Sequence, residues 1–137
     1  MLRRLARQLD YHYRIDRQAS RLTKLMLGLR FNCYVSPRAS IYEAHRVQLA
    51  DRVEVHREVV LNYHPIGRGP SPNIVIGEGT RIFPRAMLIP QQGWIRIGSR
   101  CTIQYGCLLY GVGGLEIGDD TRIAGHTIIT PMNHVYA

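Results

Sequence analysis

Two residue types in this chain could carry chemistry near neutral pH, namely histidine and cysteine. A neutral imidazole can accept a proton near pH 7, so a histidine is a candidate general base. The cysteines are odd in number and include no Cys-x-x-Cys pair, which argues against a disulfide framework or a structural zinc site and favours a reducing compartment. The residues concerned are His12, His45, His56, His64, His126, His134, Cys33, Cys101 and Cys107.

The elements that must position these side chains belong to one domain of ordinary size. The chain has 137 residues, of which 45% are hydrophobic and 20% charged, a globular composition that excludes a multidomain enzyme and a disordered chain. Its 13 Gly and 7 Pro predict many corners and short straight segments. No apolar run is long enough to cross a bilayer and the N-terminus lacks a signal-peptide centre, so we expect a cytoplasmic protein.

Residues 1–32 form the first predicted unit, a basic amphipathic helical segment. Residues 1–30 hold eight basic side chains against Asp10 and Asp16, a net charge of +6, whereas the rest of the chain carries +2. Two interpretations remain open: a helix that caps the domain with solvated arginines, or peripheral contact with an anionic membrane surface. Nucleic acid is not expected as a partner, because the rest of the chain is nearly neutral and has no stacking-aromatic motif. The apolar residues at helical spacing are Leu2, Leu5, Leu9, Tyr13, Leu22, Leu25, Met26 and Leu29.

Residues 33–137 form the second predicted unit, in which aliphatic anchor residues recur every six positions. A period of six fits neither a helix nor a half-exposed strand, so each repeat is predicted to be a short strand plus a corner, with three repeats per solenoid turn. Near residue 50 the register is ambiguous between Leu49-Val55-Leu61 and Val47-Val53-Val59. The clear anchors are Val35, Ile41, Val47; Ile76, Ile82, Leu88; Ile97, Ile103, Leu109; and Ile117, Ile123, Ile129.

Three insertions are predicted to share one corner of this all-β solenoid. They are Asn62–Asn73, Gln92–Trp94 and Gly111–Gly114, and each falls at the same point of its turn. A solenoid tolerates extra residues at one corner because its stacked sheets then remain unbroken.

The repeat resembles that of the hexapeptide-repeat acyltransferases. This resemblance implies a left-handed parallel β-helix preceded by the N-terminal α-helical segment. Residues 117–137 (IGDDTRIAGHTIITPMNHVYA) look like the maltose and galactoside O-acetyltransferase type. That likeness implies acetyl-CoA as co-substrate, a sugar or polysaccharide hydroxyl as acceptor, no metal, and a homotrimer. It also implies His134 as general base, with Gln104 and Asn133 contacting the acceptor, and direct transfer without a covalent enzyme intermediate.

Two other classes stay open. The segment IGSRCTIQYGCLLYG also resembles the zinc-dependent carbonic-anhydrase-like solenoids, but those need two histidines five residues apart, and this chain has no such pair. Relatives of the acetyltransferases continue beyond the catalytic histidine, whereas three residues follow His134 here. We therefore expect the C-terminal coils to be missing, which keeps open a catalytically inactive interaction scaffold.

Overall fold

Each hexad folds as a strand of two or three residues followed by a corner, and successive coils stack in parallel. A computed structural model describes residues 21–63 and 69–131, and it contains one α-helix, α1 (Arg21–Phe31), ahead of the coils.

The strands form three sheets and are numbered in chain order. Sheet 1 contains β1 (Tyr34–Val35), β4 (Glu54–Val55), β7 (Arg81–Ile82), β10 (Thr102–Ile103) and β13 (Arg122–Ile123). Sheet 2 contains β2 (Ser40–Ile41), β5 (Val60–Leu61), β8 (Met87–Ile89), β11 (Leu108–Tyr110) and β14 (Ile128–Ile129). Sheet 3 contains β3 (Val47–Leu49), β6 (Ile74–Ile76), β9 (Ile95–Ile97) and β12 (Leu115–Ile117).

The three parallel sheets form a β-solenoid of about four turns, as the period of six predicted. Coil 1 holds β1 to β3, coil 2 β4 to β6, coil 3 β7 to β9 and coil 4 β10 to β12, while β13 and β14 begin coil 5. The first corner joins sheet 1 to sheet 2, the second joins sheet 2 to sheet 3, and the third leads back to sheet 1. The left-handed winding stays a prediction from the resemblance.

The core consists of aliphatic columns that run along the solenoid axis. Val35, Val55, Ile82, Ile103 and Ile123 pair in register along sheet 1, and all five side chains are buried. Burying one face of every strand in this way supplies the hydrophobic stabilisation that no single coil has alone. The equivalent column on sheet 2 contains Ile41, Leu61, Leu88, Leu109 and Ile129.

The strand register resolves the ambiguity near residue 50. Leu49 pairs with Ile76, so Leu49 occupies the anchor position, and Val47, which the spacing counted as an anchor, pairs with Ile74 instead. The extra residues between Ile41 and Leu49 include a 3₁₀ helix at Ala44–Arg46. Val47 was therefore wrong as an anchor because this helix lengthens the repeat by two positions.

All three predicted insertions lie at the second corner, between sheets 2 and 3. The largest is secured at its ends by buried polar groups. Asn73 Nδ2 donates to Asn62 Oδ1 (2.7 Å), and Asn62 Nδ2 donates to the Tyr42 carbonyl (3.0 Å). Buried Arg46 donates from Nη2 to the carbonyl oxygens of Gly69 (3.1 Å) and Pro70 (2.6 Å). These bonds pair most of the buried polar groups where the insertion leaves the coil, whereas Asn73 Oδ1 is buried without a hydrogen-bond partner among the described residues.

The third corner is narrow where coils 3 and 4 follow, which explains Gly77 and Gly98 after their sheet 3 anchors. A Cβ atom on Gly77 would lie 2.5 Å from the carbonyl carbon of Gly98 in the next coil. A side chain at this position would therefore push adjacent coils apart, and glycine permits the close approach.

Helix α1 packs on the open side of coil 1. In coils 2 to 4, the carbonyl equivalent to that of Ala39 accepts a hydrogen bond from the preceding coil; one example is Ser40 N to Val59 O at 2.8 Å. No described coil precedes coil 1, and the Lys24 ammonium group donates to the Ala39 carbonyl (2.5 Å) instead; it also donates to the Pro37 carbonyl (2.9 Å). A helix side chain thus replaces the missing strand amide.

Candidate functional site

Gln104 lies at the first corner, directly after β10. The chain folds this way locally because Gly106, two residues on, has a φ of 65° and lets the corner turn sharply. The backbone N–H of Gln104 donates to the Ile123 carbonyl (3.1 Å), which fixes the residue to coil 5. Its half-buried side chain makes no hydrogen bond to another described residue.

His126 occupies the same corner one coil later, although the sequence assigned it no role. A Cβ atom on Gly106 would lie 2.6 Å from His126 Nδ1, so the imidazole ring rests on the glycine. The backbone N–H of His126 donates to the Tyr105 carbonyl (2.8 Å), and the side chain is exposed. The first corner of coils 4 and 5 therefore carries the half-buried Gln104 and the exposed Tyr105 and His126.

His134 and Asn133 lie outside the described residues, as do His64 and Arg68. Pro131, the last described residue, follows β14 at the second corner. Gln104 precedes β11, which is the strand that pairs with β14. Gln104 and Pro131 thus lie at opposite ends of sheet 2, and of the three predicted site residues only Gln104 is described.

The second corner of coils 3 and 4 carries an aromatic ring over glycine backbone. A Cβ atom on Gly114 would lie 2.5 Å from Trp94 Cζ2, so the indole covers this glycine. The Arg96 guanidinium lies 4.6 Å from the centroid of the indole ring, in the range of a cation–π contact. Glycine backbone and a guanidinium group thus already contact the indole ring at this corner.

A ladder of four rings runs along the first corner, and the sequence analysis missed it. The His56 and Phe83 rings stack with centroids 5.2 Å apart and planes 1° apart. Tyr105 (5.5 Å from Phe83) and Tyr34 (5.9 Å from His56) extend the ladder. The available signal was position for the two middle rings, because His56 and Phe83 each directly follow a sheet 1 anchor, whereas Tyr34 and Tyr105 do not occupy that position. Since the middle rings cover each other's faces, the ladder stabilises the corner rather than offering stacking surfaces to a ligand.

The described thiols are placed as packing groups. Cys101 and Cys107 are buried, and their sulfur atoms donate to the carbonyl oxygens of Gly118 and Ala124, both at 3.1 Å. Burial, together with the Asp51 carboxylate, raises the pKa of the Cys33 thiol. A raised pKa lowers the thiolate fraction at neutral pH, so Cys33 is a poor nucleophile.

Within residues 21–63 and 69–131, no three His, Cys, Asp or Glu side chains come together in a group that could hold a metal ion. His56, the imidazole nearest a carboxylate here, contacts Glu54 Oε2 at 3.1 Å within one coil.

Comparison with known proteins found no similar protein. No family model matches the chain, and neither a curated protein nor a solved structure shows significant similarity to it.

Proposed function

We propose that the protein is an O-acetyltransferase of the hexapeptide-repeat type, which moves an acetyl group from acetyl-CoA to a sugar or polysaccharide hydroxyl. The observation that carries the proposal is the strand register. From Val35 to Ile129 the anchors stack as coils of three hexads, which is the architecture that the resemblance implies. The motif around Asn133 and His134 thereby follows a solenoid strand, β14.

The position of His134 is predicted from the repeat, because this residue lies outside the described part of the chain. Leu108 pairs with Ile128, a step of 20 residues, and the same step leads in the sequence from Trp94 to Gly114 and on to His134. The repeat therefore predicts that His134 belongs to the second corner. Two residues, Met132 and Asn133, separate it from Pro131 in the sequence.

His134 acts as the general base in the proposed reaction. Its neutral imidazole takes the proton from the acceptor hydroxyl while the hydroxyl oxygen attacks the thioester carbonyl carbon. The carbon–sulfur bond breaks, the CoA sulfur leaves, and the proton passes from the imidazolium to that sulfur. Gln104 and Asn133 contact the acceptor, in a homotrimer whose sites lie between subunits. None of the described thiols is needed as a nucleophile.

The test is acetyl-CoA-dependent thiol release with candidate glycans as acceptors. Replacing the base in His134→Ala is expected to reduce turnover by about 10²- to 10⁴-fold, with an unchanged far-UV circular dichroism spectrum. His45→Ala is the matched control, because His45 is an exposed histidine on the 3₁₀ helix of coil 1. Gln104→Asn keeps the amide and should retain more activity than Gln104→Ala, which should raise KM.

Other outcomes of the same assay favour different classes. Full turnover in His134→Ala would remove this residue from the mechanism. No thiol release with any acceptor, together with no binding of acetyl-CoA, would favour the interaction scaffold. Stoichiometric zinc in the purified protein would favour the carbonic-anhydrase-like class.

A further inference from the structure

Helix α1 turns an apolar stripe away from the solenoid. Leu22, Leu25, Met26 and Leu29 are spaced i, i+3, i+4, i+7, so they lie on one side of the helix. Their exposed fractions are 65%, 59%, 60% and 76%. A surface helix normally buries such a stripe against its own domain. Here the stripe faces outward, as it does on helices whose apolar side is buried in a membrane surface or in another protein.

The opposite side of α1 fixes this orientation. Lys24 is 5% exposed and donates to the two coil 1 carbonyls described above. Gly28 lies against the solenoid connection, where a Cβ atom would be 2.9 Å from the Cys33 carbonyl oxygen. Phe31 packs against the core. Rotating the helix to bury its leucines would break all three contacts, so the outward stripe is a stable feature.

Charge identifies the surface that complements this stripe. Residues 1–30 carry a net charge of +6. Arg30 is exposed beside the stripe and lines a groove of about 670 Å³ together with Met26 and Phe31. A second copy would bring two strongly cationic segments together, whereas an anionic surface would attract them. Within the described residues, no helix has the length and apolarity to cross a bilayer.

We propose that α1 docks the protein on an anionic lipid bilayer. Leu22, Leu25, Met26 and Leu29 enter the boundary between headgroups and acyl chains, while Arg30 contacts lipid phosphates and the net positive charge of residues 1–30 attracts the protein to the anionic surface. The helix lies parallel to the membrane plane, with the solenoid on its aqueous side. This docking is independent of acetyl transfer and goes beyond the proposed function.

The test uses the full chain in sedimentation with phosphatidylcholine vesicles, with and without phosphatidylglycerol. The unmodified protein should bind the anionic vesicles, and rising NaCl should weaken binding because it screens the charges. The double variant Leu25→Gln/Leu29→Gln keeps every charge and should lose at least about tenfold in partitioning. Ile128→Gln, whose side chain is 64% exposed at the other end of the solenoid, is the matched control and should bind normally.

Four outcomes would overturn the proposal. The first is equal binding by the double variant and the unmodified protein, and the second is no anionic-vesicle binding by the unmodified protein. The third is that light scattering without vesicles gives a smaller molar mass for the double variant than for the unmodified protein. That result would mean that the stripe binds a second copy of the chain. The fourth is that the amides of α1 are protected from hydrogen exchange in the absence of vesicles and that adding vesicles does not change this protection. That result would mean that residues 1–20 cover the stripe. If circular dichroism shows that the double variant does not fold, Arg30→Glu takes its place. This variant is expected to bind anionic vesicles more weakly than the unmodified protein, and unchanged binding would contradict the proposal.

Discussion

At the scale of single residues, Glu58 shows how charge stabilises a corner of the solenoid. Its carboxylate accepts from Arg38 Nη2 (2.7 Å) in coil 1, from Arg57 Nη1 (3.4 Å) in its own coil and from Arg85 Nε (2.8 Å) in coil 3. The hydrogen bond from Arg85, followed by attraction to the guanidinium charges, holds the pKa of Glu58 below its ordinary value. One carboxylate thus links three coils.

This lowered pKa predicts an acid-dependent loss of stability. A carboxyl group with a lower pKa in the folded state stabilises the fold above its unfolded pKa, about 4.3, and loses that contribution as pH falls through the folded pKa. Glu58→Gln should therefore have a slightly lower Tm at pH 7 and a flatter decline in Tm below about pH 4.3. Because the group is exposed, the effect should be small and should shrink in high salt. Thermal melts across pH measure it.

Glu116→Gln is the control, since Glu116 is an exposed carboxylate in the middle of β12. Parallel acid declines for Glu58→Gln and the unmodified protein would show that the three guanidinium contacts do not stabilise the fold.

At this scale the sequence supplied one described site candidate, Gln104, and it did so through the resemblance. Its corner position agrees with its place directly after the anchor Ile103, because position within a hexad determines position in the coil. The ring ladder and the contact of His126 with Gly106 were not predicted, because both join residues about 20 positions apart whose side-chain directions depend on the stacking. The role of His134 stays a prediction.

At the scale of elements, one column of side chains determines how large a residue the first corner accepts. The column consists of the residue that directly precedes each sheet 2 strand. Its members are Ala39, Val59, Ala86, Cys107 and Thr127. Val59 is fully buried in this position, so the column accepts a β-branched side chain. Valine at residues 53 and 59 is also why the spacing alone left the register ambiguous, since valine fits both the anchor column and this small-residue column.

Substitutions at Cys107 test this column. Cys107→Val introduces the side chain that Val59 has at the equivalent position of coil 2. It should lower the free energy of unfolding by less than about 1.5 kcal/mol. Cys107→Leu adds volume to a fully buried site and should cost about 1–3 kcal/mol through overpacking. Urea unfolding of both variants gives the two free energies. Equal costs would show that the hydrogen bond from Cys107 Sγ to the Ala124 carbonyl, which both variants lose, dominates the site.

The orientation of α1 is the element-level feature that the sequence could not supply. Its spacing predicted an amphipathic helix, and α1 is helical from Arg21 to Phe31. Which side faces the solenoid depends on Lys24, one of whose acceptors is the Ala39 carbonyl, which receives no strand amide because no described coil precedes coil 1. That requirement arises from the assembled stack, so helical periodicity does not reveal it.

At the scale of the whole molecule, the solenoid is a nearly one-dimensional stack in which each coil contacts its neighbours. The stability of such a stack is approximately a sum over coils and the interfaces between them, so position along the axis determines the cost of a substitution. Leu88 is fully buried and pairs with Leu61 on one side and Leu109 on the other. Ile129 is partly buried and pairs with Leu109 on one side.

We therefore expect the same truncation to act differently at these two positions. Leu88→Ala removes packing on both sides and should lower the free energy of unfolding by about 2–5 kcal/mol. Ile129→Ala leaves a partly exposed site that solvent fills, so it should cost less than half as much. Denaturant unfolding measures both, and native-state hydrogen exchange should show stronger amide protection in β5 and β8 than in β14. Equal costs, with uniform protection, would mean that the coils unfold as a single unit and that interfaces between neighbouring coils do not govern stability.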